Sequence, residues 1–349
     1  MDVRIAGHAI GDGQPPFIIA EMSGNHNHSI ERAMAIVEAV AAAGAHALKL
    51  QTYTADTMTL DLREREFFIS DPRSPWHGHS LYELYQKAYT PWEWHEPIFR
   101  RARELGLIPF STPFDATAVD FLEERGVPCY KIASFENIDI PLIRKVAATR
   151  KPVIVSTGMA SVAEVEEAVA TLQESGCGEI VLLKCTSSYP ASPVDSNLAT
   201  IPHMRSLFGC PVGLSDHTLG IGAAVASVAL GAVAIEKHVT LSRSDGGVDA
   251  DFSLEPQELA MLVRETRTAW EALGSVHYGP MQDEKPSLAF RRSLYITRDL
   301  AAGSVLAADN VRAVRPGLGL PPKYYDVVVG KRVARAVRRG TPLSWDLIG

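Results

Sequence analysis

The chain has 349 residues, 46% apolar and 21% charged, with a formal net charge of −7. That length buries a real core, as one large domain or two ordinary ones, and the composition is that of a soluble globular protein. No run of about 18 apolar residues is free of charges, which argues against a helical membrane span; the opening MDVRIAGHAIGDGQPP has no basic start followed by an apolar core, so a cytoplasmic location is expected. In chain order, eight short apolar or β-branched runs read as strands: FIIAE (17–21), ALKLQTY (47–53), LIPFST (107–112), CYKIAS (129–134), PVIVST (152–157), IVLLKCT (180–186), PVGLSDH (211–217) and VAIEKHV (233–239). Helical patterns lie between them. Ser29 precedes IERAMAIVEAVAAAG, and Gly44 stands where a C-terminal cap belongs. Thr90-Pro91-Trp92-Glu93 reads as a capping box with a proline in the first turn, on a helix that Gly106 ends. Ser161 with Glu164 forms a second capping box, Asp115 can cap the next helix pattern through Glu124, and Pro141 can open another.

Eight strands alternating with helices imply a parallel sheet, and eight units in about 260 residues have the size of a (β/α)8 TIM barrel. A doubly wound open sheet is the alternative, but it usually carries a Gly-rich phosphate loop after its first strand, where this chain has EMSGNHN. The segment 54–90 is long for a loop and is expected to be a functional excursion over the barrel mouth. Residues 1–275 are therefore assigned to the barrel and the polar, proline-bearing stretch 276–290 to a linker. Residues 291–349, with short alternating runs and the turn cluster GLGLPP, read as a compact, mostly β module. That module carries eleven Lys/Arg against four Asp/Glu, so +7; the remaining 23 against 37 leave −14 on the body. A basic module beside an acidic one suggests mutual docking, within or between chains; the scattered charges, with no stacking aromatics, do not favour nucleic-acid binding. The four cysteines, Cys129, Cys177, Cys185 and Cys210, show no CxxC spacing and read as buried thiols in a reducing compartment.

In such a barrel the active site lies at the C-terminal strand ends. Strand one ends in Glu21, followed by Ser23, Asn25 and His26; strand two carries Lys49 and Gln51; strand three ends in Ser111 and Thr112. Strand four holds Lys131, then Ser134 and Glu136; strand five ends in Ser156 and Thr157; strand six runs into Thr186, Ser187, Ser188 and Tyr189. Strand seven gives Ser215, Asp216 and His217; strand eight gives Glu236, Lys237 and His238, with Asp249 beyond. Two lysines and several hydroxyls at one mouth describe an anion site suited to a phosphate and a carboxylate. The paired histidines read either as two satisfied core imidazoles or as ligands of a divalent metal with open positions. The chemistry points to a metal-assisted enzyme acting on a small phosphorylated carboxylate; phosphoenolpyruvate fits but is not singled out.

The runs IIAEMSGNHN, KLQTYTADT, FSTPFD, YKIASFEN, STGMAS, LSDHT and EKHVTL, then RRSLY, RPGLGL and GTPLSWD, resemble the sialic acid synthase family (the nonulosonic acid synthases) over about residues 15 to 349. EMSGNHN, KLQTYTADTMT, AYTPWEWH and LPPKYYD are most similar to its pseudaminate branch. The resemblance implies a (β/α)8 barrel followed by a small antifreeze-like (SAF) domain. It implies condensation of phosphoenolpyruvate with an acetamido sugar in open-chain form, 2,4-diacetamido-2,4,6-trideoxy-altrose in the pseudaminate branch, with release of phosphate. By the same resemblance His217 and His238 bind the metal, Mn²⁺ or Mg²⁺. Lys49, Thr112, Lys131, Ser134, Ser156, Ser187 and Ser215 hold phosphoenolpyruvate, with Ser187 where neuraminate synthases tend to have Asn. Glu21 meets metal-bound water or sugar hydroxyls, and Glu136 positions or activates the water that attacks C2. Tyr189, Gln51 and Asp249 line the sugar pocket. In a homodimer the SAF domain of one subunit covers the partner's barrel, and Arg315 reaches an N-acyl group of the sugar. The rival readings are a neuraminate or legionaminate synthase with the same chemistry, a class II metal aldolase that releases no phosphate, and a sugar-binding protein without catalysis.

Overall fold

The computed structural model describes all residues except 1, 73 and 75, so that part of the 54–90 excursion falls outside the described residues. The chain divides into two compact units, Met1–Gly274 and Ser275–Gly349. The first opens with an antiparallel hairpin, β1 (Val3–Ile5) and β2 (His8–Ile10). Eight parallel strands follow: β3 (Phe17–Glu21), β4 (Ala47–Thr52), β5 (Ile108–Pro113), β6 (Tyr130–Ile132), β7 (Val153–Ser156), β8 (Ile180–Cys185), β9 (Val212–Ser215) and β10 (Ala234–His238). They close into a barrel in which β10 pairs with β3 and every other strand with its sequence neighbour. The barrel and its eight strands are as expected from the alternation; the hairpin is additional.

The alternation of side chains along each strand explains both the core and the site. One parity, including Ile18, Leu48, Val155, Leu182, Leu214 and Ile235, packs outward against the helices. The opposite parity points inward. At the N-terminal end of the barrel it is apolar, with Phe17, Ile19, Ala47, Phe110, Ile154 and Leu183 joined by Val3, Ile5 and Ile10 of the hairpin, which plugs that end. Two residues further along the same strands, the inward parity turns polar: Glu21, Lys49, Thr112, Lys131, Ser156, Ser215 and Glu236. Gly213 marks the crowded interior, because a Cβ there would strike the backbone of Ala234 and the side chain of Leu183.

The outer helices are set by their caps. Helix α1 (Ile30–Ala42) is capped by Ser29, whose hydroxyl accepts the Arg32 amide, and Gly44 follows it at φ +81°. The excursion after β4 carries α2 (Ala55–Met58) and α3 (Leu81–Ala88), the latter with a Ser80–Glu83 capping box. Helix α4 (His95–Glu104) departs from expectation: a 3-10 turn, Trp92–Trp94, precedes it, and Thr90 does not cap it. The Thr90 hydroxyl instead meets His26 Nε2 at 3.2 Å, because the loop after β3 buries that imidazole beneath it. Helix α5 (Ala116–Glu124) is capped by Asp115, α6 (Ile140–Ala147) by Asp139 with Pro141 in its first turn, and α7 (Val162–Glu174) by the Ser161–Glu164 box. Helices α8 (Thr200–Phe208), α9 (Gly222–Ala229) and α10 (Pro256–Leu273) complete the outer layer.

The second unit has its own core, built from residues such as Leu294, Ile296, Leu306, Val311, Val328 and Leu343. Strands β11 (Ser293–Ile296) and β12 (Val311–Val314) pair antiparallel, with isolated bridges such as Leu300 to Val337 and Val305 to Arg332. Residues 282–290, assigned from their lack of period to a linker, form a 3-10 helix (Gln282–Phe290). All four cysteines are free and buried. Among the described residues no helix is long and apolar enough to cross a membrane.

Candidate active site

The inward parity of the strands builds a buried ionic network at the barrel mouth. Lys49 Nζ lies 2.8 Å from Glu21 Oε2 and 2.9 Å from Glu236 Oε1. Lys131 Nζ lies 3.6 Å from the same Glu236 oxygen, donates to Ser156 Oγ at 2.7 Å and to the Ile132 carbonyl at 3.2 Å. Gln51 donates to Glu21 Oε1 at 2.7 Å, and Ser215 to Glu236 Oε1 at 3.3 Å. Burial pushes the Glu21 carboxyl up, but Lys49 and His238 outweigh it and hold the group well below the usual carboxylate range. Lys131 is also shifted down, here by burial: burial and the nearby Lys49 lower its affinity for the proton against the pull of Glu236. Thr112 Oγ1 faces this network buried and without a partner, free for an incoming group.

The two histidines stand beside this network, with ring centroids 5.3 Å apart. His217 Nδ1 lies 3.1 Å from the Thr186 carbonyl. A carbonyl can only accept, so that nitrogen carries the proton, and in the neutral ring Nε2 is the acceptor. His238 Nδ1 is buried with no hydrogen-bond partner, and its Nε2 lies 3.3 Å from Glu21 Oε2. Asp249 Oδ2 sits 3.6 Å from His238 Nδ1 and also accepts a bond from Ser23. Among the described residues no group of three or more His, Cys, Asp or Glu side chains is set to hold a metal. His238 Nδ1 and His217 Nε2, flanked by carboxylates, are the two imidazole nitrogens that could take a divalent ion. From the outer face Lys237 ties the two histidine-bearing strands together: its ammonium donates to Asp216 Oδ2 at 2.9 Å and to the carbonyls of Thr218 and Gly220 at 2.6 and 2.9 Å.

A cavity of about 380 Å³ opens over these groups. Strand ends form one side of it; the other is apolar and comes largely from the excursion, through Met58, Ile69, Trp76, Leu81, Leu84 and Tyr85. Trp76 Nε1 donates to the Val248 carbonyl at 2.9 Å, joining the excursion to the loop after β10. Glu136 reaches the cavity from the turn after β6 with one carboxylate oxygen buried and unpartnered. Burial raises its pKa to about 7, against the opposing pull of Lys131. Tyr189 packs on His217 at 4.6 Å between ring centroids.

The cavity is lined by Glu21, Lys49, Gln51, Thr112, Lys131, Ser134, Glu136, Ser156, Tyr189, Ser215, His217, His238 and Asp249. Ser187 is not on its wall; its hydroxyl stands 3.8 Å from Cys185 Sγ and, with that of Ser134, crowds the Cα of Gly158 so closely that a Cβ there would collide with both. Arg315 belongs to the second unit, after β12. Several lining groups received no role from the sequence. Glu236, Cys185 and Tyr53 carry the right parity and were findable by it, and Tyr85 shares the cavity side of α3 with Leu81, Leu84 and Ala88; Trp76 and Phe114 come from irregular segments whose sequence has no period to read.

A model described as the NeuB family matches residues 36–278, and a SAF domain model matches residues 291–349. A pseudaminic acid synthase from Helicobacter pylori is 41% identical over 335 residues, 95% of this chain and 98% of that protein. An N,N'-diacetyllegionaminic acid synthase from Legionella pneumophila is 36% identical, covering 97% of this chain and 96% of that protein. Among solved structures, an N-acetylneuraminic acid synthetase from Leptospira borgpetersenii in complex with citrate matches with a TM-score of 0.74 at 32% identity, over 82% of this chain and 95% of that chain. With the closed barrel, the polar mouth and the appended module all in place, the chain belongs to the NeuB family of sialic acid synthases and carries that family's C-terminal SAF domain.

Proposed function

We propose that the protein is a cytoplasmic pseudaminic acid synthase that condenses phosphoenolpyruvate with open-chain 2,4-diacetamido-2,4,6-trideoxy-altrose and releases phosphate. The observation that carries the reading is the convergence of buried Lys49 and Lys131 with the hydroxyls of Thr112, Ser156 and Ser215 in one cavity with the His217–His238 pair. The resemblance of 41% to pseudaminic acid synthases, against 36% to a legionaminate relative, supports the choice of sugar. The free, buried cysteines suit a reducing cytoplasm.

The charges suit this pairing of ligands. Two lysines are offset by Glu21 and Glu236, so these four side chains together are close to neutral, and the phosphate and carboxylate of the substrate call for further positive charge. A divalent ion on His217 and His238 would supply it and polarise the sugar aldehyde. Lys49, Lys131 and the hydroxyls fix the phosphoenolpyruvate, leaving its C3 to attack the aldehyde carbon. Positive charge develops at C2 and is met by water, which Glu136, with one oxygen unpartnered and its pKa raised to about 7, orients and deprotonates. The tetrahedral intermediate loses phosphate to the lysines. Glu21, Gln51, Tyr189 and Asp249 contact the sugar.

A homodimer completes the proposal, with the partner's SAF domain over the mouth and its Arg315 on an N-acyl group of the sugar. Apolar side chains lie bare in the loops that follow the strand ends, Phe135, Met159, Val194 and Leu219 being 57–86% exposed, and the barrel body is acidic while the SAF residues are basic. To test the function, the full chain is offered phosphoenolpyruvate with a panel of acetamido sugars, with and without Mn²⁺ after chelation. Metal-dependent phosphate release, fastest with the altrose and giving a product of pseudaminic acid mass, is expected. Faster turnover of a neuraminate or legionaminate precursor would reassign the sugar, and condensation of pyruvate without phosphate release would indicate an aldolase.

A further inference from the structure

Glu236 has no part in the steps above, yet it stands at the centre of the network. It sits one inward layer below His238 on β10, in register with Ser215 of β9, and it is buried. Its Oε1 gathers Lys49 Nζ at 2.9 Å, Ser215 Oγ at 3.3 Å and Lys131 Nζ at 3.6 Å. Its Oε2 is buried with no partner at all. Three groups offered to the phosphoenolpyruvate thus already converge on one oxygen of the protein itself. Two ammonium groups this close, out of water, repel each other, and a buried anion between them lets both stay protonated and in place before the substrate arrives. The same anion opposes a phosphoryl group that reaches for the same ammonium protons.

We propose that Glu236 is a resident counter-anion of the phosphate-binding lysines: it positions Lys49 and Lys131 and weakens their hold on phosphate, so that the product phosphate leaves. The proposal rests on the phosphoenolpyruvate reading and names the residue that tunes it. A site that bound phosphate with both lysines uncompensated would hold substrate and product alike, which lowers KM without raising kcat.

Glu236→Gln keeps the shape and removes the charge. Titration calorimetry of inorganic phosphate into the full-length chain, with no sugar present, reads the effect directly. The Gln variant is expected to bind phosphate at least about tenfold more tightly, a change of about 1.4 kcal/mol. Its KM for phosphoenolpyruvate and its kcat fall together, with phosphate release becoming the slow step, while Glu236→Asp, which keeps the charge, does not tighten phosphate. If the Gln variant does not fold, the charge-balanced pair Lys131→Gln with Glu236→Gln is compared with Lys131→Gln alone; the second change should again tighten phosphate. Phosphate affinity equal to or weaker than that of the parent in either comparison overturns the proposal. Wild-type protein that binds neither phosphate nor phosphoenolpyruvate brings down the phosphoenolpyruvate reading and the proposal with it.

Discussion

Glu136 is a carboxyl group placed to hold its proton near neutral pH. Burial raises its pKa from 4.5 to about 7, and one oxygen finds no partner. Each tenfold change in proton affinity is worth about 1.4 kcal/mol, so the displacement corresponds to about 3 kcal/mol. The folded state binds the proton more tightly than the unfolded state. Stability is therefore lost as pH rises from 4.5 to about 7 and stays lowered above that. With Glu136 as the proposed base, activity runs the opposite way, because only the ionised form can take a proton from water. Turnover should climb about tenfold per pH unit below 7 and level off above it. Glu136→Gln should cut kcat by about 10²- to 10⁴-fold, and melting curves should show it more stable than wild type at pH 8 but not at pH 4. A Gln variant with wild-type turnover would remove Glu136 from the chemistry.

At the scale of elements, the rigid strands supply the charges and the excursion between β4 and β5 supplies the apolar wall. Met58, Leu81 and Leu84 face the cavity with no polar atom to offer, which suits a sugar ending in a methyl group. An unpaired buried hydroxyl costs about 1–3 kcal/mol, or about 5- to 150-fold in affinity. Wild-type enzyme should thus prefer a 6-deoxy sugar over its 6-hydroxy counterpart by a factor in that range in kcat/KM. Leu84→Asn should narrow the ratio; equal use of both sugars by the wild type would contradict this role for the wall. How much of this was legible follows from the same division. Lys49, Lys131, Ser156, Ser215 and His238 lie on strands, and His217 follows β9 by two residues at the same parity; a period of two distinguishes the barrel interior from the helix-facing side, so both the fold and most of the mouth could be read. Glu236 shared that parity but lay below the strand tips, and only distances reveal it as the hub of the lysines. The hairpin of β1 and β2 has three residues per strand, too few to show a pattern, and Thr90 looked like a cap because His26, its partner, is 64 residues away in sequence. Of the wall residues, Leu81, Leu84, Tyr85 and Ala88 repeat at helical spacing on α3, whereas Met58, Ile69 and Trp76 follow no common period, so nothing in their order announces which way they face.

On the scale of the whole molecule, the two units have separate hydrophobic cores and opposite net charge, −13 on residues 1–274 and +6 on 275–349. Attraction of that kind works equally well within a chain or between chains, so charge alone does not choose. Symmetry provides the test, because in a two-fold dimer with exchanged caps each mouth needs one barrel and one Arg315 from different chains. Lys131→Met disables the mouth and leaves the SAF residues intact; Arg315→Ala does the reverse. Each variant alone should be nearly inactive, the first through loss of phosphoenolpyruvate binding and the second through a raised KM for the sugar with the KM for phosphoenolpyruvate unchanged. If the caps are exchanged, unfolding and refolding the two variants together yields mixed dimers, each with one wild-type mouth under a wild-type cap. Random pairing makes half of the dimers mixed, so activity should return to roughly one quarter of the wild-type value. If each chain capped its own barrel, every site would keep one defect and the mixture would stay as inactive as its components. Raising the salt concentration during refolding should slow the approach of the oppositely charged units.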